Sequence, residues 1–96
     1  MTFEDFKTTL AARRCPGTLS AALRALWQDA QGNWKQAHEL VQEESDRDSA
    51  WVHAYLHRKE GDRSNAAYWY RTAQKPVNTA AFDEEWEQIV RELLGA

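Results

Sequence analysis

The residues of this chain best suited to chemistry are its histidines, two of which share one face of a predicted helix. His53, His57 and Glu60 are spaced i, i+4 and i+7, which places the three side chains along one stripe of a helix. Two imidazoles one turn apart form half of a transition-metal site, and a carboxylate can complete it. The stripe departs from the zinc-protease pattern because no glutamate follows His53. The alternative is a polar boundary stripe that packs against a neighbouring helix or contacts a partner.

A third histidine, His38, lies on the apolar face of another predicted helix, together with Trp34 and Val41. A histidine in that position commonly forms a hydrogen bond with a backbone carbonyl or a carboxylate. If the two helices pack together, however, His38 can approach His53 and His57. The candidate ligands of a transition metal are therefore His38, His53, His57 and Glu60.

Polar and aromatic side chains are also concentrated around Gly61, where they predict a surface for a partner. Arg58 offers a fork of donors that suits a carboxylate or a peptide, whereas Asp62 can simply cap the following helix. Tyr68 points away from the apolar face of its helix, so either the last helix covers it or it is an exposed contact residue. The candidate partner-binding residues are His53, His57, Arg58, Glu60, Asp62, Asn65 and Tyr68.

The elements that must position these residues are predicted to be helices, because apolar residues recur every three or four positions. Gly32 and Gly61 interrupt the pattern, and Pro76 ends the fifth segment. The predicted caps are Thr2 with Asp5, Asn33 with Gln36, Asp48 or Ser49, and Asp62. The second helix is expected over about 19–31, the fourth over about 50–60 and the last over about 79–94. Its acidic residues, Asp83, Glu84, Glu85 and Glu87, are expected to form a solvated face.

An internal repeat relates residues 27–42 to residues 56–71, at an offset of 29 residues. Gly61, Asp62, Ala66, Tyr70 and Ala73 carry a pattern that resembles the second half of a tetratricopeptide repeat. The matching positions in the first unit are Gly32, Asn33, Trp34 and Ala37, and the stretch AAYWYRTA at residues 66–73 resembles Sel1-like repeats.

The apolar spacing predicts an all-α fold of about six antiparallel helices, and the resemblance implies that four of them form two helix-turn-helix pairs. These pairs would cover about 19–45 and 49–75, with a packing helix over about 79–94, in one domain spanning 1–96. The stretch from Trp51 to Asp62, with Asn65-Ala66 and Tyr68-Trp69-Tyr70, also resembles a family of short bacterial proteins. That second resemblance implies membership and no mechanism.

The overall charge narrows the classes of partner. Twelve basic residues oppose fifteen acidic residues, which gives a net charge of −3. This balance disfavours nucleic acid and anionic membranes, both of which attract basic proteins. The single cysteine, Cys15, precludes an internal disulfide and fits a reducing compartment. Since the N-terminus has no apolar segment of signal-peptide length, we expect a cytoplasmic, bacterial protein.

The leading functional hypothesis is a non-enzymatic interaction module that binds a protein or peptide, including a second copy of itself as a homodimer. No phosphate-binding glycine loop, paired cysteines or serine–histidine–acid spacing occurs in the sequence, so no catalytic residue and no cofactor are predicted. The rival hypothesis is a metal-binding protein or a metal-dependent enzyme that uses His53 and His57.

Overall fold

A computed structural model describes residues 1–95, and Ala96, the last residue of the predicted domain, lies outside them. These residues form six α-helices and no strand, which confirms the all-α prediction. No helix among them has both the length and the apolar character needed to cross a bilayer. The helices are α1 (Phe3–Ala12), α2 (Ala21–Ala30), α3 (Trp34–Gln42), α4 (Arg47–Lys59), α5 (Arg63–Ala73) and α6 (Phe82–Leu94).

Side-chain caps explain where several helices begin. Thr2 and Asp5 form the predicted capping box at α1, and the Asp62 carboxylate accepts the backbone N–H of Asn65 at α5. The prediction for α4 was wrong, because Asp46 accepts the N–H of Ser49 at 3.0 Å and starts the helix at Arg47. Acidic N-cap residues satisfy N–H groups that the helix leaves free.

One further predicted capping hydrogen bond and one further predicted helix start were also wrong. The side chain of Asn33 does not cap α3; its amide donates to Gln28 Oε1 instead, at 3.0 Å. Helix α6 begins at Phe82 rather than near Thr79, after Ala81 in an extended conformation. The connection before α6 is irregular as far as Ala81. Pro76, which lies within this connection, has no backbone N–H to donate.

The two glycines that interrupt the sequence pattern lie in turns of the same geometry. Gly32 and Gly61 have φ angles of 87° and 88°. In each turn, the glycine N–H bonds to the carbonyl three residues earlier, and the next N–H bonds to the carbonyl five residues earlier. This is the Schellman arrangement, which requires a left-handed residue after the helix. The turns join α2 to α3 and α4 to α5 into two antiparallel helix pairs.

Helix α4 occupies the centre of the molecule and packs against α2, α3, α5 and α6. Every residue from Ser49 to His57 on α4 is buried, which leaves this helix almost without a solvent face. The side chains of His53 and His57 therefore lie at interfaces between helices and do not form an outer stripe.

Helix α6 covers α1, α2 and α4, and it leaves Tyr68 of α5 uncovered. Of the two alternatives for Tyr68, cover by the last helix is wrong and exposure is correct, since the tyrosine is 50% exposed. Helix α6 is held instead by Trp86, whose indole packs on Phe3 and Phe6 and donates to the Leu26 carbonyl at 3.0 Å.

Candidate functional site

All three histidines of the chain meet at the contact between α3 and α4. The Nε2 atoms of His38 and His53 lie 3.0 Å apart, and a ring nitrogen of each histidine lies within 4.8 Å of one from each of the others. His53 and His57 stack with ring centroids 4.8 Å apart. The structure therefore forms the three-histidine cluster that the sequence predicted on condition that these helices pack together.

Two tryptophans hold the imidazoles in place. Trp34 stacks on His38 with nearly parallel rings, 5.1 Å between centroids, and its indole N–H donates to the Leu56 carbonyl at 2.8 Å. Trp69 of α5 stacks on His53 at 4.1 Å. Because the rings are packed on one face by indoles, their rotation is restricted, as a preformed ligand site requires.

Glu60 completes the cluster from the end of α4. Its Oε1 lies 2.6 Å from His57 Nδ1, so that nitrogen carries the proton and donates to the carboxylate. In the neutral form of His57, the lone pair is then on Nε2, where it can bind a cation. A carboxylate that orients a metal-binding histidine in this manner is a common outer-shell arrangement, so Glu60 supports a ligand rather than being one.

Burial keeps the two facing imidazoles neutral. Burial, followed by the charges of His38 and His57, lowers the pKa of His53 from 6.5 to about 4. The pKa of His38 is also lowered, mainly by burial and then by the charge of His57. Neutral imidazoles have the lone pairs that coordination requires.

Hydrogen bonding within the protein does not fully account for the position of His53. Its Nδ1 is buried and has no hydrogen-bond partner among residues 1–95, which leaves a polar atom that costs about 1–3 kcal/mol when unpaired. Its Nε2 meets only the Nε2 of His38. Packing and proximity to the other imidazoles, rather than a complete set of hydrogen bonds, therefore define the location of this ring.

The nitrogen separations fit a small metal ion. Ligand nitrogens about 2.0–2.1 Å from a tetrahedral Zn²⁺ stand about 3.3–3.4 Å apart, close to the 3.0 Å between His38 and His53. The other ring nitrogens of the cluster lie at most 4.8 Å apart. These distances need to shorten by at most about 1.5 Å to match the spacing of zinc ligands. Imidazole ligands suit zinc, copper, iron and nickel, whereas magnesium and calcium prefer oxygen.

The residues of the predicted partner surface divide into two groups. His53 and His57 are buried, and Arg58 is directed inward, where its Nη1 lies 2.7 Å from the buried Glu85 carboxylate. The solvent-accessible members are Glu60, Asp62, Asn65 and Tyr68, although Asp62 is half-buried and its carboxylate bonds to both the backbone and the side chain of Asn65.

Neither of the two indoles was predicted to belong to the site. Trp34 was placed with His38 on an inner face, but its stacking on the imidazole was not foreseen. Trp69 was identified only as part of the repeat-like stretch at residues 66–73. The i, i+4 spacing of Trp34 and His38 was the available signal, whereas the contact between Trp69 and His53 depends on helix packing.

The chain matches no family model, no curated protein and no solved structure.

Proposed function

We propose that this protein binds a divalent transition-metal ion, of the class of Zn²⁺, through His38, His53 and His57. One observation supports this function above the others: the chain has only three histidines, and all three bring a ring nitrogen within 4.8 Å of the other two. The ligands come from two helices, so the ion would join the first helix pair to the second.

The surrounding residues favour a metal over a purely structural cluster. Glu60 fixes the tautomer of His57, and burial keeps His53 neutral. The His53 ring is held by stacking on Trp69, and its Nε2 contacts only the Nε2 of His38, so this nitrogen is available to a metal ion.

Metal content and calorimetric titration test this function directly. Protein purified without a histidine tag is stripped with a chelator and titrated with Zn²⁺, Ni²⁺ and Mg²⁺. We expect one equivalent of Zn²⁺ or Ni²⁺ to bind and Mg²⁺ not to bind. His38→Gln should weaken Zn²⁺ binding by at least about 100-fold, since loss of an outer-shell partner alone costs 10–100-fold.

A matched control removes the thiol, the other side chain of this sequence that commonly binds zinc. Cys15, the single thiol, lies in the connection between α1 and α2, and Cys15→Ser should leave Zn²⁺ affinity unchanged. Binding that survives His38→Gln but is lost in Cys15→Ser would place the metal elsewhere. No uptake of Zn²⁺, Ni²⁺ or Co²⁺ by the stripped protein would contradict the proposed function.

Self-association is a second candidate function, favoured by the exposure of Tyr68. This side chain is 50% exposed and stands edge-on to Trp69, with ring centroids 4.9 Å apart. A tyrosine in such a position supplies apolar contact area and a polar hydroxyl. Sedimentation of the wild type and Tyr68→Ala over a range of concentrations tests it, with a dimer expected to weaken in the variant. A monomer at all concentrations would eliminate the homodimer.

A further inference from the structure

We infer that the metal at His38, His53 and His57 keeps one open coordination position, and that this position takes a small monodentate anion. The inference rests on the proposed metal site and adds a ligand to it. Zinc sites closed by four protein ligands are structural, whereas sites with three protein ligands keep the fourth position for water or substrate.

Both carboxylates nearest the cluster are already engaged. Glu60, Asp62 and His57 also lie within 4.8 Å of one another, so either acid is a conceivable fourth ligand. Glu60, however, accepts the proton of His57 Nδ1 at 2.6 Å. Asp62 caps α5 and accepts the Asn65 side-chain amide at 2.8 Å. Recruiting either one to the ion would break an existing interaction.

The exposure of the three imidazoles gives the side of approach. His53 and His57 are buried, whereas His38 is only half-buried. The cluster therefore reaches solvent on the α3 side, beside His38. A small ligand can approach there without displacing the indole of Trp69, which covers His53 from α5.

Charge determines the class of ligand. Coordination takes the uncharged form of imidazole, so three such ligands leave the full dipositive charge of the ion in place, and Glu60 offsets one unit through His57. Bound cations are often the largest local charges in a site, so this centre favours an anion over a neutral ligand. Azide is a suitable probe because it is small, singly charged and binds through one atom.

Visible spectroscopy of the Co²⁺-loaded protein tests the open position. Addition of sodium azide should change the cobalt absorption bands in a saturable way, while sodium perchlorate at the same ionic strength should not. Bands that do not respond to azide would mean a closed site and would overturn this inference while leaving metal binding intact. Failure to take up Co²⁺ would contradict the proposed function instead.

Two variants distinguish an anion site from a fourth protein ligand. Glu60→Gln removes a nearby negative charge, so azide should bind roughly two- to fivefold tighter, the range for a partly exposed charge, even though the metal itself binds more weakly. Asp62→Asn keeps a capping side chain and should leave the azide-free spectrum unchanged. A changed azide-free spectrum in Asp62→Asn would identify Asp62 as the fourth ligand and overturn the inference.

Discussion

The Nε2 atoms of His38 and His53 face each other at 3.0 Å across the contact between α3 and α4. In the metal-free protein, one of these neutral rings must donate a proton and the other must accept it. In the proposed metal-bound state, an ion would replace this single hydrogen bond with coordination to both nitrogens. The pair would then link the two halves of the molecule more strongly than the hydrogen bond does.

Metal should therefore stabilise the fold. At a Zn²⁺ concentration of 100 times Kd, binding to the native state alone adds about 2.7 kcal/mol. For a domain of this size, that free energy corresponds to a rise in Tm of roughly 10–20 °C. Differential scanning calorimetry with Zn²⁺, and with Mg²⁺ as the control, measures the shift. The rise should disappear in His38→Gln, and an equal rise with Mg²⁺ would exclude the imidazole site.

The metal-free protein should lose stability as the pH falls below about 6.5. The pKa of His53 is lowered from 6.5 to about 4 in the folded state, so the unfolded chain binds more protons between these values. The free energy of unfolding then rises with pH across this window and falls towards about pH 4. The lowered pKa of His38 acts in the same direction.

Urea unfolding of chelator-treated protein at about pH 7 and about pH 5 measures this effect. His53→Phe keeps an aromatic ring against Trp69 and removes one titrating group, so its stability should depend less on pH. An identical loss of stability in the wild type and His53→Phe would attribute the effect to other groups.

The amphipathic spacing in the sequence predicted the helices and both glycine turns, but not how the helices cross. His38 could be assigned to an inner face from Trp34 and Val41, and His53 and His57 to one stripe. Their convergence depends on the register between α3 and α4, which no local pattern contains. The stacking of Trp69 on His53 brings a third helix, α5, into the site. This contact could not be predicted either, because it also depends on how the helices pack.

Glu85 illustrates a different limit of sequence reasoning. In the first turn of α6 it looks like one of several solvated acids, yet it is fully buried. Arg58 of α4 and the Tyr70 hydroxyl of α5 both donate to its carboxylate. The sequence does not distinguish the buried Glu85 from the neighbouring acids, Asp83 and Glu84, which are exposed.

Removal of the Glu85 carboxylate should strongly destabilise the protein. Glu85→Ala leaves Arg58, which is only 18% exposed, without its partner, and breaking a buried ion pair costs about 3–5 kcal/mol. The matched control is Glu87→Ala, since Glu87 pairs with Arg91 at the surface of the same helix and such pairs contribute about 0–1 kcal/mol. Denaturant unfolding measures both. Similar losses of stability in the two variants would contradict the stabilising role of the buried Arg58–Glu85 ion pair.

Alanine at either glycine turn should destabilise the fold by a similar, modest amount. An added Cβ at Gly32 or Gly61 meets no atom within 4 Å, so the penalty comes from the left-handed backbone alone, about 1–2 kcal/mol. The reduced entropy of the unfolded chain offsets about 0.4–1 kcal/mol of it.

Gly17→Ala is the control for these turns, because Gly17 has equal space around it and no positive φ. We expect this variant to be neutral or slightly stabilised, while Gly32→Ala and Gly61→Ala each lose roughly 1 kcal/mol in urea unfolding. Equal losses at all three glycines would mean that the added methyl group, rather than the left-handed turn, is responsible. A loss at only one of the two turns would show that the pairs α2–α3 and α4–α5 do not depend on their glycines in the same way.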